Sequence, residues 1–379
     1  MVDKSYASRI LGLSASFLLL GAAGCQLIPD KGLSVPASQA VHKGFNFGPR
    51  IRYGAYPSSI VGTPWLGPEM GTHGYYFRLS EKNGIAYTCR GGHIDTMHLR
   101  IAADWTAYLA GKAYHHIMEG DPSFSYKLFV DRSRNYVYLT YPDDWEGLPE
   151  QRRREIAREV SLTLAPHLTF TMVTWHEILT WYGFKCIGLP AEFPSAFSWE
   201  DSYSNLLGTI LAVRALRHTE HPFNEAMAME IEKEMERLGV QPASVSKRVS
   251  ESVRGDWYDG HFSMLVDMRM RNFDIGLGDG EVTPTLIPDV GECPDAEPVS
   301  YPVPTLDELS DHGFSAHVEI EPHEWEKDKI LRIVHDDKDA KRVKPAIHFE
   351  PIMAQIRREA TAKYGPAFTY DADYATASE

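Results

Sequence analysis

Between residues 92 and 238, apolar side chains recur at three- and four-residue spacing in successive stretches. That period calls for helices with one buried face. The stretches run 92–118, 150–164, 166–182, 199–217 and 224–238. Pro166 suits the first turn of the third, and Gly239 is a natural residue just past the end of the last. Shorter runs alternate with a period of two. Tyr75-Tyr76-Phe77 and Ile85-Ala86-Tyr87 flank Asn83-Gly84, and 126–130 and 136–141 flank 131–135, so both pairs predict antiparallel hairpins. Residues 266–277 alternate like a strand, while 278–305 are rich in proline and acids and read as loop. Strands and helices come in mixed order without repeating βαβ units, which predicts an α+β fold with a helical core and antiparallel hairpins. The expected layout is a helix-rich main part over 51–240 and an α+β C-terminal part over 241–367. These form either one large domain or a domain plus a subdomain, with a disordered tail over 368–379.

The N-terminus has a different logic. Lys4 and Arg9 stand against Asp3, and 10–24 then run apolar or small without a charge. The stretch is too short to span a bilayer but has the layout of a secretory signal, predicted over 1–24. It closes on Ala22-Ala23-Gly24-Cys25, which resembles the lipobox of bacterial lipoproteins, with Ala22 where leucine is usual. The resemblance implies a diacylated Cys25, a lipidated tether over 25–50 and attachment to the membrane through the lipid. Gln26 follows rather than the aspartate of inner-membrane retention, which implies the outer membrane, facing the periplasm. Losing Lys4, Arg9 and Asp3 removes one net positive charge, taking the formal charge from −14 to −15. Such an acidic chain is a poor partner for nucleic acid or anionic lipid. Cys89, Cys186 and Cys293 remain, an odd count that leaves at least one thiol unpaired.

Polar residues on the apolar stripes carry the chemistry. His98 falls on the line of Ile94, Ile101, Trp105 and Tyr108; His176 lies four residues after Met172, in line with Leu168 and Leu179; Glu200 lies seven before Leu207. A buried carboxylate without a partner costs several kcal/mol. Two imidazoles and a carboxylate from three elements would suit a zinc site with an open position. Asp201, three residues after Ser198, reads as a helix cap, and Asp95 and Asn205 as supporting groups.

His176-Glu177 with Thr180 resembles half of the H-E-x-x-H motif of gluzincin proteases, and Glu200 stands 24 residues after His176, the interval of that family. The resemblance implies His176 and Glu200 as zinc ligands and Glu177 as general base, with Thr180 in place of the second histidine. His98, or His93, would replace it. Gly91-Gly92-His93-Ile94-Asp95, Thr174-Trp175-His176-Glu177 and Phe197-Ser198-Trp199-Glu200-Asp201 through Leu206-Leu207-Gly208 also resemble bacterial lipoproteins carrying a domain of unknown function. That resemblance implies no activity. A competing constellation starts from Cys89, just before a predicted helix, where a thiolate would be favoured. His93 or His176 as base and Asp95 or Glu200 as orienter would give cysteine-dependent acyl transfer or peptidase chemistry. The alternative for Cys89 is a disulfide to Cys186 or Cys293.

The expected function is therefore a zinc-dependent hydrolase of the envelope, acting on peptidoglycan or a peptide. The other readings are a Cys89 enzyme and a non-catalytic envelope binding lipoprotein whose polar groups satisfy one another.

Overall fold

A computed structural model gives the fold of residues 31–52, 62–76, 80–128, 130–185, 193–260 and 266–370. Cys25, Cys186 and the predicted signal segment lie outside the described residues.

The chain builds α1 (Ala37–Lys43), β1 (Trp65–Leu66), β2 (Ile85–Thr88), β3 (Gly92–Asp95), α2 (Thr96–Glu119), β4 (Ser123–Tyr126) and β5 (Arg134–Thr140). Next come α3 (Glu150–Trp181), α4 (Asp201–Ala215), α5 (Phe223–Arg237), α6 (Ala243–Ser252), β6 (Ser315–Glu321), α7 (Lys327–Val334) and α8 (Pro345–Tyr364). The fold is α+β. Helices α2, α3 and α4 form the centre, and one core of buried residues runs from Ala37 to Ala360. The two predicted parts therefore share a core and make one domain. A smaller cluster with Tyr87, Trp199, Val249 and Tyr258 lies under α6.

Two small sheets brace the helices. β2 pairs antiparallel with β3, Ile85 opposite Asp95 and Thr88 opposite Gly92, and parallel with β1. β5 is the centre of an antiparallel sheet between β4 and β6, and buries Asn135, Val137 and Leu139 in alternation. The hairpin expected over 124–141 is present. The one expected at Asn83-Gly84 is not, because Ile85 donates instead to the Pro64 carbonyl at 2.9 Å. A Cβ on Gly84 would lie 2.1 Å from that oxygen, so glycine is there to admit β1. The hairpin turn is Cys89-Arg90-Gly91, closed by Gly91 N–H donating to Thr88 Oγ1 at 3.0 Å.

Four further expectations are corrected. The helix expected from residue 92 starts at Thr96, since β2 claims 92–95 as a strand and Asp95 caps the helix. The stretches 150–164 and 166–182 are one helix through Pro166, with Leu162, Leu164, Ala165 and Leu168 buried about it. Side-chain packing outweighs the hydrogen bond that proline removes. The tether over 25–50 is, from residue 37, part of the fold: α1 buries Ala37, Ala40 and Val41. Of the strand expected over 266–277, two-residue ladders at Asp267–Met268 and Arg271–Asn272 form.

α2 and α4 cross closely. A Cβ on Gly208 of α4 would stand 2.1 Å from the Leu99 carbonyl and 3.0 Å from Ala102 Cβ. Leucine or even alanine there would force the helices apart, so this crossing sets the distance between the two helix starts.

Candidate metal centre

The starts of α2 and α4 and the last turn of α3 converge on one buried group of acids around a histidine. Asp95 ends β3 and caps α2: its Oδ1 accepts from the Met97 amide at 2.7 Å. Its other oxygen, Oδ2, lies 3.1 Å from Nδ1 of His98, one turn on. From α4, Asp201 Oδ1 lies 3.0 Å from the same Nδ1, while Oδ2 accepts from the Ser198 amide at 2.8 Å. Glu200 accepts from Ser198 Oγ on both oxygens at 2.9 Å. The Asp95 amide donates to Ser204 Oγ at 3.0 Å, tying α4 to the end of β3. Each acid thus comes from a helix start, where backbone N–H groups favour negative charge.

Asp95, His98 and Glu200 each present a ligand atom, all mutually within 4.8 Å. Donors bound to zinc at about 2.0–2.1 Å in a tetrahedron are about 3.3 Å apart. The His98 contacts to Asp95 and Asp201 are close to that, yet neither is aligned as a hydrogen bond. His98 Nδ1, Asp201 Oδ1 and Asn205 Oδ1 are buried atoms without a hydrogen-bond partner among the described residues. Asn205 is one turn beyond Asp201 on the same face of α4. Orphaned donor atoms crowded at ligand spacing are what a bound cation would satisfy.

Glu177 completes the acids. It is 6% exposed, and its Oε2 accepts from the Phe197 amide at 2.9 Å. Phe197 has a φ of 52°, in the left-handed region where a bulky residue is rare, and its carbonyl accepts from the Asn272 amide. Burial and the nearby Asp201 charge push the Glu177 carboxyl up to about 7, against the opposing pull of His176 and His98. Burial, with Asp201 and Asp95, raises Glu200 well above the usual range. For His98 burial works the other way, and the Asp201 and Asp95 carboxylates overcome it, raising the imidazole well above 6.5. Its side chain is 22% exposed while the acids beside it are almost fully covered, so solvent reaches the group along His98. Arg271, fully buried, donates to the Ala196 and Met268 carbonyls and acts electrostatically on Asp201. Its place was not foreseen; the only sign was an arginine inside Val266-Asp267-Met268-Arg269-Met270-Arg271.

Of the expected zinc set, the structure brings His98 and Glu200 together and leaves His176 out. His176 Nδ1 pairs with Asp131 Oδ1 at 2.8 Å, and His176 is the one residue from 168 to 181 that is not buried. With α3 covered on nearly all sides there, an apolar line through Met172 does not single out an inward direction. The rotation of about 100° per residue puts Glu177, not His176, at the group. Asp95, read only as supporting, takes the third position. His93 faces elsewhere: it is packed against Tyr87 and Trp199, accepts from Trp199 Nε1 at 3.3 Å and approaches the Ser246 carbonyl. Burial lowers it to about 4, a neutral core histidine. Cys89 is bonded to Cys293, their Cα atoms 5.1 Å apart, so it has no thiolate to offer and the cysteine mechanism falls.

No curated protein and no solved structure matches the chain. Residues 71–276 hold Asp95, His98, Glu177, Glu200 and Asp201, and they match a family model over more than half of the chain. The chain belongs to the family described as "Protein of unknown function (DUF4056)".

Proposed function

We propose that the chain is a metal-dependent hydrolase of the cell envelope, with zinc held by Asp95, His98 and Glu200 and with Asp201 at its edge. One observation carries this reading: three ligand atoms from two helix starts converge within 4.8 Å, with Asp201 Oδ1 also 3.0 Å from His98 Nδ1 and a buried Asn205 Oδ1 without a hydrogen-bond partner among the described residues. A bound cation would acidify water and polarise a carbonyl. Glu177 is suited to move the proton, from the attacking water to the leaving amine or alcohol, because it is a buried carboxyl beside the ligand acids, held by the Phe197 amide through one oxygen. The donor set is richer in oxygen than most zinc sites, so manganese is the competitor.

The envelope location and a peptide or cell-wall substrate belong to the same proposal. They are supported by the lipobox-like Cys25 and by the Cys89–Cys293 bond, which fits an oxidising compartment. No helix of the described residues is long and apolar enough to cross a membrane. Replacing Cys25 by alanine should abolish fatty-acid labelling and membrane fractionation.

A second reading, a structural cation in a binding protein, is favoured by the near-complete burial of the acids. Metal content and activity separate the two. The full chain should carry close to one zinc or manganese per molecule; His98→Ala and Glu200→Gln should lose it, and His176→Ala should keep it. A metal-free protein with no melting response to either ion would overturn the centre. Glu177→Gln should retain metal and lose hydrolysis about 10²-fold or more. Retained hydrolysis in that variant removes Glu177 as the base, and a metal-loaded wild-type chain without hydrolysis leaves the structural reading standing.

A further inference from the structure

A second concave site lies away from the acids, where the end of α1 meets the later turns of α2. A cavity of about 380 Å³ there is lined by Lys31, Lys43 and Lys112, by His115 and His116, and by Tyr108 among others. Its floor is glycine against glycine: a Cβ on Gly111 would stand 3.0 Å from Gly44 Cα, and one on Gly44 would stand 2.7 Å from His115 Nε2.

The charge here runs against the rest of the molecule. The chain carries −14 formally, yet this cavity gathers three lysines, none with an acidic partner among the described residues. The acids that face it are few. Asp121 is taken by His116 at 2.7 Å, and Glu119 acts on His115. Helix C-termini attract cations, which accounts for Lys43 and His116 in the last turns of α1 and α2. It does not account for Lys31, before α1, or for Lys112, two turns from the end of α2 and partly buried without a counter-charge. Burial disfavours the Lys112 ammonium, and no acid offsets that cost.

We propose that this cavity binds a phosphate group carried on a small organic moiety. Ammonium groups bind phosphate as point charges and do not need the flat fork that a carboxylate–arginine pair uses. The volume exceeds what a bare phosphate fills and falls within the range of small-molecule sites. A soluble phosphoester and a phospholipid headgroup share this chemistry. Lys31 follows Cys25 by six residues, which span at most about 20 Å when extended. On the lipid-anchor reading the cavity is therefore within reach of the headgroups.

Titration calorimetry of the full chain with glycerol 3-phosphate tests the first source. Co-sedimentation with phosphatidylglycerol against phosphatidylcholine vesicles tests the second, read as the excess on the anionic vesicles so that a lipid anchor contributes equally to both. The paired Lys43→Gln and Lys112→Gln substitutions should weaken whichever signal is present by roughly tenfold or more. Lys82→Gln, a lysine paired with Glu69 elsewhere, should leave it unchanged. Lys43 is exposed, so Lys43→Gln alone tests the site if the double variant fails to fold; it should weaken the signal a few-fold. Saturable phosphoester binding identifies a soluble ligand, and an anionic-vesicle excess alone identifies a headgroup. Neither signal, or one indifferent to the lysines, overturns the proposal.

Discussion

Helix α2 carries two buried polar clusters. In its second and third turns, Arg100 and Asp104 meet Arg52, His73 and Glu81. Arg52 donates to Asp104 and, at 3.1 Å, to Glu81; His73 Nε2–H donates to Asp104 at 2.7 Å while its Nδ1 accepts from Arg100 at 3.1 Å. Arg50 also reaches Glu81. Three guanidinium groups thus face two carboxylates; most of the donors left over reach the Met70, Thr72 and Gly74 carbonyls, while Arg100 Nε is buried without a hydrogen-bond partner among the described residues. At the start of the same helix, four carboxylates gather around His98. Counting both His98 and Arg271 as cations, two negative charges remain. Burial alone does not separate these clusters; completion does. The carboxylates of the first are matched by the chain's own arginines, as an internal tie between α2 and the segments on either side of β1. The second is short of positive charge; the raised Glu177 and Glu200 carboxyls answer that shortfall when no ion is bound, and a divalent ion would have to displace the proton of His98 Nδ1 to bind there.

The largest test of this contrast is to break the completed cluster. Asp104→Asn keeps the shape and leaves Arg52 and His73 without their shared carboxylate, so it should cost about 3–5 kcal/mol in denaturant unfolding. A loss under about 1 kcal/mol would mean both find other acceptors and the tie is not what we describe.

Next in size is the response to acid, which should have opposite signs in the two clusters. Burial holds His73 at about 4, below its ordinary 6.5, so the unfolded chain takes up that proton first. Stability from His73 is therefore complete above pH 6.5 and lost as pH falls towards 4, by on the order of 3 kcal/mol. Burial works against Asp104, but Arg52 and His73 prevail and hold it at about 2, which extends the loss further into acid. Glu177, raised from 4.5 to about 7, behaves in reverse in chelated protein: its contribution is complete below pH 4.5 and lost as pH rises through 7. Chelation should consequently destabilise the chain more at pH 8 than at pH 5, measured as the gap between melting temperatures with and without chelator. An equal gap at both would break the contrast.

The smallest effect sharpens the geometry. Gly208→Ala should push α4 from the Leu99 carbonyl, costing about 1–3 kcal/mol. Because the same crossing spaces Asp95 and His98 from Glu200 and Asp201, it should also weaken metal affinity measured by competition with a chelating dye. Lost stability with unchanged affinity would show that the helix starts are held by other contacts.

Much of this was readable where residue period and partner lay on one element. His98 and Glu200 were legible as polar residues on apolar lines, and the α+β class followed from the order of elements. Asp95 was seen but misjudged, because a helix drawn from residue 92 hides the strand end that makes it a cap. His176 and Glu177 were exchanged, since a helix buried all round gives the apolar period no phase to lock on. The arginine cluster was not read at all: Arg52, His73 and Glu81 come from segments without a regular period. Cysteine parity allowed several pairings and could not choose among them.

The Cys89–Cys293 bond joins positions 204 residues apart. Asp95, His98, Glu177, Glu200 and Asp201 all fall inside that covalent ring, while α1, α7 and α8 hang outside it as two tails. A single scission of the backbone within the ring opens it without releasing a piece, and the acids and His98 stay on one molecule. Two scissions, or one scission and a reductant, are needed to part them. Wherever proteases reach the chain, the crosslink thus acts as insurance against fragmentation, quite apart from what it does for folding.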